Sequence, residues 1–375
     1  MSLAGGSSVG ANGLIRVGYM SNLDLQGDLT VTGTLDLEDG ASLTLAGNTL
    51  DISGGQLDLA GTHSLDGITT DNNTTLQINS SGSISRSDSG TSTVGNLVLS
   101  QAGSSSGVSF GVDNMSLTVA GTAPQFNDAD IILNSANLNF QNSPTFDNGS
   151  TLSVKNSGEL ILQNGVTISD SSLDFTSSTF KPSGTVSLTG SSHFTFDSGS
   201  SVMLEGDSTL SQSGSVTWPS PDLNGNALTL ASNVTDMSVD GAMSIGTGES
   251  LNSGTSNLSL NSTLTIDDGG TLSSGSGQVQ IGGAITLDGE LRQGSGILNL
   301  IGGGTVGSTG RLDVSNSELK LGSALSFAGT LVVDNGTSWS GLGGTVDLSA
   351  GTLESSGGTL SLDKFTTGAN TAFKL

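Results

Sequence analysis

Short apolar triplets with a polar middle residue recur along the chain at a nearly constant spacing. Leu258-Ser259-Leu260 is typical. Because successive side chains of a strand face opposite sides, such a triplet predicts a short strand with two inward residues and one outward residue. The first series of triplets returns about once per repeat, at Ile131, Leu152, Leu173, Phe194, Val216, Met237, Leu258, Val279, Leu298, Leu319, Trp339 and Leu360.

Two further series interleave with the first. The second is Leu138, Leu160, Phe180, Val202, Leu223, Met243, Leu264, Ile285, Val306, Leu325, Val346 and Phe365. The third is looser in spacing and is Phe146, Val166, Val186, Leu210, Leu228, Leu251, Leu272, Leu291, Leu312, Leu331, Leu353 and Phe373. Three strands per repeat, repeated about twelve times, are typical of a solenoid.

The predicted fold is all-β: a single-stranded parallel β-helix, or β-solenoid, with three strands in each coil of about 21 residues. One coil cannot bury its apolar residues alone, so coils stack at about 4.8 Å. Corners such as Asp268-Gly269-Gly270 fall between triplets, where glycine accepts positive φ. No long window has helical periodicity. The long, variable repeat favours a right-handed coil over a left-handed hexapeptide helix, whose coil is rigid at about 18 residues.

The triplets extend over most of the chain and predict one continuous solenoid over 1–375. We expect regular coils over 131–375 and less regular, loop-bearing coils over 20–130. Six N-terminal triplets indicate that coils have begun before the regular region; they start at Leu23, Leu29, Leu35, Leu43, Leu50 and Leu57.

Between Leu65 and Val108 the rhythm loosens. The segments 69–75, 86–93 and 100–107 are predicted loops at corners, where repeat proteins often place recognition surfaces. The alternative is a polar bulge without a partner. Proline cannot donate to a ladder, so Pro219-Ser220-Pro221 is expected to bulge from the stack near Leu223.

Composition limits the partners. The chain has 34 acidic and 9 basic residues, a formal charge of −25, which disfavours nucleic acid and anionic membranes. It contains no cysteine, so disulfides do not hold it together. No signal peptide or apolar stretch of membrane length is visible. Both ends lack the atypical capping repeat of a complete solenoid, and we expect a fragment whose neighbours are further segments of a longer chain.

Motifs of catalytic or cofactor-binding proteins occur without their structural context. Gly302-x-Gly304-x-x-Gly307 has dinucleotide-binding spacing, but no helix follows, so a corner turn is expected. Gly6 to Gly10 and Gly103 to Gly107 match the nucleophile-elbow pattern by chance in a chain rich in Gly and Ser. His63 and His193 lie several coils apart and are expected at the surface or in corners. The sequence predicts no catalytic, cofactor-binding or metal-binding residues and no cofactor.

Carboxylates are the remaining chemical candidates. Three clusters could bind calcium, although solvated corner charge is the simpler interpretation: Asp36 with Glu38 and Asp39, Asp128 with Asp130, and Asp267 with Asp268. Glycoside hydrolysis needs two carboxylates facing one groove, and a lyase needs a basic group beside a carboxylate. The basic residues are widely scattered along the sequence. The aspartates in outward positions are Asp24, Asp36, Asp51, Asp58, Asp174, Asp313 and Asp347, but the sequence does not show which of them converge.

Outward threonines raise the possibility of a flat ice-binding face. Outward residues of the first series are mixed and partly charged, which does not specify an ordered array; the outward threonines are Thr30, Thr44, Thr118, Thr167, Thr195, Thr229, Thr265 and Thr286. Most aromatic residues occupy inward positions. Phe175, Phe196 and Trp218 are predicted to stack in adjacent coils, whereas Tyr19 precedes the regular region and can be exposed.

The runs Leu29 to Leu37 and Gly358 to Leu362, with the turn Asp39-Gly40, resemble the passenger stalks of bacterial adhesins of the autotransporter and filamentous-haemagglutinin type. The resemblance covers nearly the whole chain and lies in repeat style. It implies an extracellular or cell-surface rod, non-enzymatic, that presents a surface to a receptor or polysaccharide. The chain lacks the Asn-Pro-Asn secretion domain, an Arg-Gly-Asp motif and an autotransporter barrel. The alternatives are a carbohydrate-active β-helix of tailspike or lyase type, and an ice-binding solenoid.

Overall fold

The computed structural model of the protein is an all-β parallel β-solenoid with about 17 turns, and its coils repeat about every 21 residues. It describes residues 1–4, 6–99, 108–334, 336–340, 343–357 and 365–374, and no helix occurs among them. These residues form two compact units, 1–201 and 202–375. The predicted fold class, with three strands per coil, is confirmed. The single continuous solenoid over 1–375 and the right-handed sense stay predictions.

The first unit contains short strands separated by tight corners. In chain order they are β1 (Ser2–Ala4), β2 (Ser7–Val9), β3 (Leu14–Val17), β4 (Asn22–Gln26), β5 (Leu29–Val31), β6 (Thr34–Leu37), β7 (Ser42–Thr44), β8 (Leu50–Asp51), β9 (Gln56–Leu59), β10 (His63–Ser64), β11 (Ile68–Thr69), β12 (Thr75–Ile78), β13 (Gly82–Ser85), β14 (Thr91–Val94), β15 (Asn96–Leu99), β16 (Val108–Asp113), β17 (Ser116–Val119), β18 (Gln125–Asn127), β19 (Ala129–Asn134), β20 (Asn137–Phe140), β21 (Thr145–Asp147), β22 (Thr151–Lys155), β23 (Glu159–Leu162), β24 (Val166–Ser169), β25 (Ser172–Thr176), β26 (Thr179–Pro182), β27 (Gly184–Thr189) and β28 (His193–Phe196).

The remaining strands follow in the same style. They are β29 (Ser201–Met203), β30 (Ser208–Gln212), β31 (Gly214–Pro219), β32 (Pro221–Asp222), β33 (Ala227–Leu230), β34 (Val234–Asp240), β35 (Met243–Ile245), β36 (Ser250–Gly254), β37 (Asn257–Leu260), β38 (Leu264–Ile266), β39 (Thr271–Ser274), β40 (Gln278–Ile281), β41 (Ile285–Leu287), β42 (Glu290–Gln293), β43 (Ile297–Leu300), β44 (Gly304–Val306), β45 (Arg311–Asp313), β46 (Glu318–Leu321), β47 (Leu325–Phe327), β48 (Thr330–Val333), β49 (Ser338–Trp339), β50 (Val346–Asp347), β51 (Thr352–Ser355), β52 (Phe365–Thr366) and β53 (Ala372–Lys374).

Most strands pair in parallel with the strand three places later in the chain, their equivalent in the next coil. The stacks are interrupted between β7 and β10, β11 and β14, and β15 and β18 in the first unit, and between β32 and β35 in the second. In the first unit the stacks begin as β1-β4-β7, β2-β5-β8-β11 and β3-β6-β9-β12-β15. Further along that unit they are β10 to β28, β14 to β26 and β18 to β27, each in steps of three. In the second unit the long stacks are β30 to β53, β31 to β49 and β35 to β52.

The first series forms one continuous column of side chains within each unit, as predicted. Leu152 lies opposite Leu173, and Leu173 opposite Phe194. In the second unit Leu258 lies between Met237 and Val279. Leu360, the last member of the series, lies outside the described residues. The described members of this series are buried except for Phe194 and Trp339, which are half-buried, so the stacked column is the core of each unit.

The predicted residues of the other two series mostly face inward, as expected. At a few coils, however, a residue lies opposite a partner other than the one that the spacing assigned to it. Val306 lies opposite Leu287, and Gly304 occupies the place beside Ile285 that the spacing assigned to Val306. Phe146 lies opposite Ile168 rather than Val166. Each shift is of two residues, which keeps a strand's inward set inward, so hydrophobic spacing cannot detect it.

Corners form where glycine and asparagine were expected to permit positive φ. Gly269 has φ +79°, which disfavours a residue with a side chain. A Cβ on Gly270 would lie 2.6 Å from the carbonyl oxygen of Ile245 in the preceding coil. Gly269 is therefore required by its backbone conformation, and Gly270 by the close approach of two coils.

The predicted bulge at Pro219-Ser220-Pro221 is wrong. Pro219 ends β31 opposite Asp240, and Pro221 begins β32 opposite Val202. Leu223 is fully buried. Among the described residues β31 is the first strand of its sheet and β32 the last of its own. Proline is tolerated on such edge strands because its nitrogen can face the side without a ladder bond.

The predicted loops differ in outcome. Segment 69–75 is a compact corner, in which Thr74 is fully buried and its hydroxyl donates to the carbonyl oxygen of Ile52. Segment 86–93 was predicted too long, because β14 begins at Thr91. Segment 100–107 lies outside the described residues. The coil that contains it is longer than the common repeat, since Gly82 pairs with Phe110.

Aromatic residues lie mainly in the core. Phe175 and Phe196 stack with ring centroids 4.9 Å apart and planes at 11°, as predicted. Trp218, the third predicted member, is buried on β31 of the second unit. Phe373 is an exception: it pairs in register with Leu353 but is 49% exposed, because β53 is the last described strand of its sheet and is covered from one side.

The aliphatic column predicts a large difference between inward and outward substitutions on one strand. Leu258→Ala should lower the free energy of unfolding by about 2–5 kcal/mol, because it leaves a cavity between Met237 and Val279. Ser259→Ala, the outward neighbour, should change it by less than about 0.5 kcal/mol. Urea denaturation followed by circular dichroism measures both, and equal effects would contradict the assigned faces.

Candidate functional site

The outer face of one sheet in the first unit carries a row of polar side chains in register. Arg16 on β3 lies opposite Asp36 on β6, Asp36 opposite Asp58 on β9, and Asp58 opposite Gln77 on β12. We call these four residues the polar ladder. Each alternates with buried leucine, isoleucine or valine neighbours, so strand geometry turns all four side chains outward. Adjacent strands are about 4.8 Å apart.

Hydrogen bonds connect the members of the ladder. The Nε of Arg16 donates to Oδ2 of Asp36 at 2.7 Å and lies 3.9 Å from Oε1 of Glu38. Gln56 Nε2 donates to Oδ1 of Asp58 at 2.6 Å and to Oε1 of Gln77 at 3.2 Å. The Arg16 side chain nevertheless remains 60% exposed. The face therefore offers both donors and acceptors to a ligand.

Asp58 is electrostatically distinct. Partial burial raises its pKa, the hydrogen bond from Gln56 opposes that change, and the neighbouring carboxylate of Asp36 raises the pKa further. Asp36 and Asp58 are also a pair that the sequence left open: both were expected to face outward, and the structure places them on adjacent strands. Arg16, Asp36 and Asp58 follow one another at intervals close to one repeat, which was the available signal.

An exposed tyrosine lies beside the ladder. Tyr19 is 62% exposed in the turn between β3 and β4, and its backbone N–H donates to Oε2 of Glu38 at 2.9 Å. Met20, the next residue, has φ +53° and is 74% exposed. The turn closes through the N–H of Ser21, which donates to the carbonyl oxygen of Gly18 at 2.9 Å. Glu38 thus joins the backbone of Tyr19 to Arg16.

The acidic clusters of the sequence have separate local partners. In the first cluster Asp36 and Glu38 interact with Arg16. In the second, Oδ1 of Asp130 accepts the hydroxyl of Thr151. Within the described ranges, no group of three or more histidine, cysteine, aspartate or glutamate side chains converges as a metal site would require. Calcium binding at the acidic clusters and solvated corner charge both stay predictions of the sequence.

The histidines occupy unlike environments. His63 is buried on β10 opposite Ile84, and its Nε2 lies 2.8 Å from the carbonyl oxygen of Ala60. The expectation of a surface or corner position was therefore wrong for His63, because its place in the strand alternation is inward. His193 is exposed on β28, as expected.

The glycine-containing motifs are parts of strands and corners. Gly304 begins β44, after the corner residue Gly303 with φ +66°, which confirms the corner turn in that motif. Ser7 to Val9 form β2, so the first elbow-like motif is an extended strand. The second, from Gly103 to Gly107, lies outside the described residues.

Two basic residues that the sequence treated as scattered lie side by side in the second unit. Arg292 and Arg311 occupy adjacent coils, and both lie within 4 Å of Glu290 and Asp313. Arg311 also reaches Glu354, which accepts Lys374 Nζ at 2.8 Å. These groups are partly exposed, so each ion pair contributes little to stability.

Two shallow grooves lie where one stack of strands ends and another begins. In the first unit a groove of about 410 Å³ lies between β15 and β18, lined by Asn96, Val98 and Gln125 among others. In the second unit a groove of about 400 Å³ lies between β32 and β35 and includes Asp222 and Glu249. Glu249 accepts the backbone N–H groups of Gly225 and Gly246, and Asp222 accepts that of Asn224, so both carboxylates bind the chain itself.

A second regular surface is the outer face of β35 to β47 in the second unit, which we call the hydroxyl face. Its central row consists of Ser244, Thr265, Thr286, Thr305 and Ser326, in register from coil to coil. A parallel row, two residues earlier on most strands, is exposed and small: Ala242, Thr263, Ala284 and Ala324. The sequence had identified Thr265 and Thr286. It missed Thr305, because glycine rather than an apolar residue precedes it.

Comparisons with protein-family models, with curated proteins and with solved structures found no match to this chain. Among the described residues there is no helix of the length and apolarity that crossing a bilayer requires. The β-solenoid is consistent with the adhesin stalks that the repeat resembles.

The contacts in the corner after β13 predict a lowered pKa for the carboxyl group of Asp88, which can be measured. Arg86 binds Asp88 through Nε and Nη2 at 2.9 and 3.0 Å, and Gly90 N–H donates to the same carboxylate, so the pKa of Asp88 is lowered from 3.8 to about 2. Asp88 therefore stabilises the folded state above its unfolded pKa, and this contribution disappears as the pH falls toward 2. In Arg86→Gln, a carboxyl NMR titration should place the pKa of Asp88 nearer 3.8.

The control for this titration is Arg292→Gln, which removes a guanidinium from another cluster and should leave Asp88 unchanged. A wild-type Asp88 that titrates near its ordinary pKa would show that the Arg86 contact does not form in solution.

Proposed function

We propose that this chain is a non-enzymatic structural stalk or adhesin segment, displayed outside the cell or on a bacterial surface, that presents a face for attachment to cells or glycans. The observation that carries the proposal is the parallel pairing of equivalent strands from coil to coil within each unit. Such pairing joins each coil to the next by backbone hydrogen bonds and resists bending and local unfolding.

Surface composition supports this role. The formal charge of −25 keeps a glycine-rich stack soluble and discourages edge association of its strands. The polar ladder forms a partly exposed face of mixed chemistry on a paired sheet, and the exposed Tyr19 lies in the turn that follows β3, as expected for attachment. The resemblance to passenger stalks of autotransporters and filamentous-haemagglutinin-like adhesins agrees with both features.

A carbohydrate-active β-helix remains the enzymatic alternative. It requires two carboxylates that face a substrate groove. Asp36 and Asp58 are adjacent, but the two grooves described above are lined by other residues. The arrangement supports binding at an open face over cleavage in a cleft.

Adhesion and hydrolysis can be separated in one experiment. Beads coated with the whole chain should adhere to cells or to surfaces coated with neutral oligosaccharides, and no reducing ends should be released from the same oligosaccharides. Beads coated with the heat-denatured chain provide the control. Release of reducing ends would establish the enzymatic alternative, and absence of adhesion to every surface would contradict the attachment role.

The hydroxyl face supports a second candidate function, ice binding. Threonine and serine repeat there at the strand spacing of about 4.8 Å, without charge in the central row from Ser244 to Ser326. A rigid array of hydroxyl and methyl groups can order water in a repeating pattern. The outward residues of the first series are mixed and partly charged, whereas this row is uniform in hydroxyl side chains.

Thermal hysteresis tests this candidate. The whole chain should depress the freezing point below the melting point, and Thr286→Lys should abolish the difference because it places a charge in the middle of the central row. Thr217→Lys, an exposed threonine on β31 and outside that face, should retain it. Absence of hysteresis in the wild-type chain would dismiss ice binding.

A further inference from the structure

The turn that holds Tyr19 presents an exposed aromatic side chain on a backbone fixed by hydrogen bonds. Tyr19 is anchored by its N–H bond to Glu38, and the neighbouring turn bond between Ser21 and Gly18 fixes the backbone on the other side. Its side chain nonetheless remains 62% exposed. Most other aromatic side chains with described surroundings are buried, so this exposure is not general in the chain. An exposed tyrosine on a fixed backbone loses little entropy when it contacts a ligand.

The polar groups that Glu38 links to this turn match sugar hydroxyls. A hydroxyl group both donates and accepts, so it can pair with a carboxylate and with a guanidinium at once. Asp36 and Asp58 supply acceptors on adjacent strands, and Arg16 supplies donors next to them. One strand spacing of about 4.8 Å separates Asp36 from Arg16 on one side and from Asp58 on the other, a distance that hydroxyls of one pyranose ring can span. Arg16 and Asp58 are two spacings apart, which neighbouring sugar units of one chain can span.

We propose that Tyr19, Glu38 and the polar ladder form a binding site for a neutral glycan, with one pyranose ring stacked on Tyr19 and hydroxyls of that unit and its neighbours in the glycan bonded to Arg16, Asp36 and Asp58. This inference rests on the proposed attachment function and gives it a place and a ligand class. The apolar C–H face of a pyranose suits the face of an aromatic ring.

The charge of the site decides between neutral and acidic sugars. Asp36, Glu38 and Asp58 face a single guanidinium, that of Arg16, and the whole chain carries a formal charge of −25. Uronic and sialic acids would bring a further carboxylate to this surface and would be repelled. The site is an open sheet face, so one site binds weakly, and display of many copies on a surface raises the total strength of attachment.

The test uses the whole chain on a panel of immobilised neutral and acidic oligosaccharides. Tyr19→Ala should weaken binding to neutral oligosaccharides about tenfold, whereas Tyr19→Phe should retain most of it, because the stacking face is kept. Met20→Ala is the matched control, since it truncates the adjacent residue, which is 74% exposed, and should leave binding unchanged. Circular dichroism verifies that each variant is folded.

The outcomes separate this inference from the proposed function. If the wild-type chain binds cells or glycans and Tyr19→Ala binds equally well, the site is wrong and the attachment role stands. Equal loss in Tyr19→Ala and Met20→Ala would assign the effect to the turn and would overturn the stacking role. Preference for acidic oligosaccharides would overturn the ligand class, and a wild-type chain that binds neither cells nor glycans would contradict the proposed function itself.

Discussion

The stacking of equivalent inward side chains in successive coils is the constraint on which the rest of the structure depends. Leu258 contacts its equivalents above and below in the second unit, as Leu173 does in the first. These short strands bury their apolar residues only against neighbouring coils, so the period of the sequence must be kept. Once it is kept, every outward residue is placed at about 4.8 Å from its counterpart. The core therefore determines the geometry of any surface that the chain uses.

Most of the fold could be predicted because the inward residues repeat in pairs at a fixed spacing. The exceptions have identifiable causes. Val306 lies opposite Leu287, two residues beyond the partner that the spacing assigned. A shift of two residues keeps the side chain on the same face of the strand, so the spacing of apolar residues does not reveal it. Pro221 enters a strand because it lies on an edge, and edges cannot be recognised without knowing which sheet ends there. His63 follows the strand alternation into the core although its residue type suggested a surface position.

The candidate site was less predictable. Asp36 and Asp58 were expected to face outward, but their pairing depends on the lengths of individual N-terminal coils, which the three regular series did not cover. The contact between Tyr19 and Glu38 joins a corner to the residue that follows β6 in the next coil, and no periodic signal marks a contact between corners. The outward residues are also chemically diverse, since the core places no demand on them. Function in this architecture is therefore specified by register, which sequence spacing determines only approximately.

The coil from Gly82 to Phe110 has one further implication. It is longer than the common repeat, yet β13, β16 and β19 pair in register across it, whereas the stack that contains β15 ends there. The entropic cost of a longer connection grows only slowly with its length. A fold of this kind can thus gain residues within one coil while at least one stack of strands continues in register on both sides of it. Such a coil is a natural position at which to splice a foreign peptide and carry it on the paired strands around it.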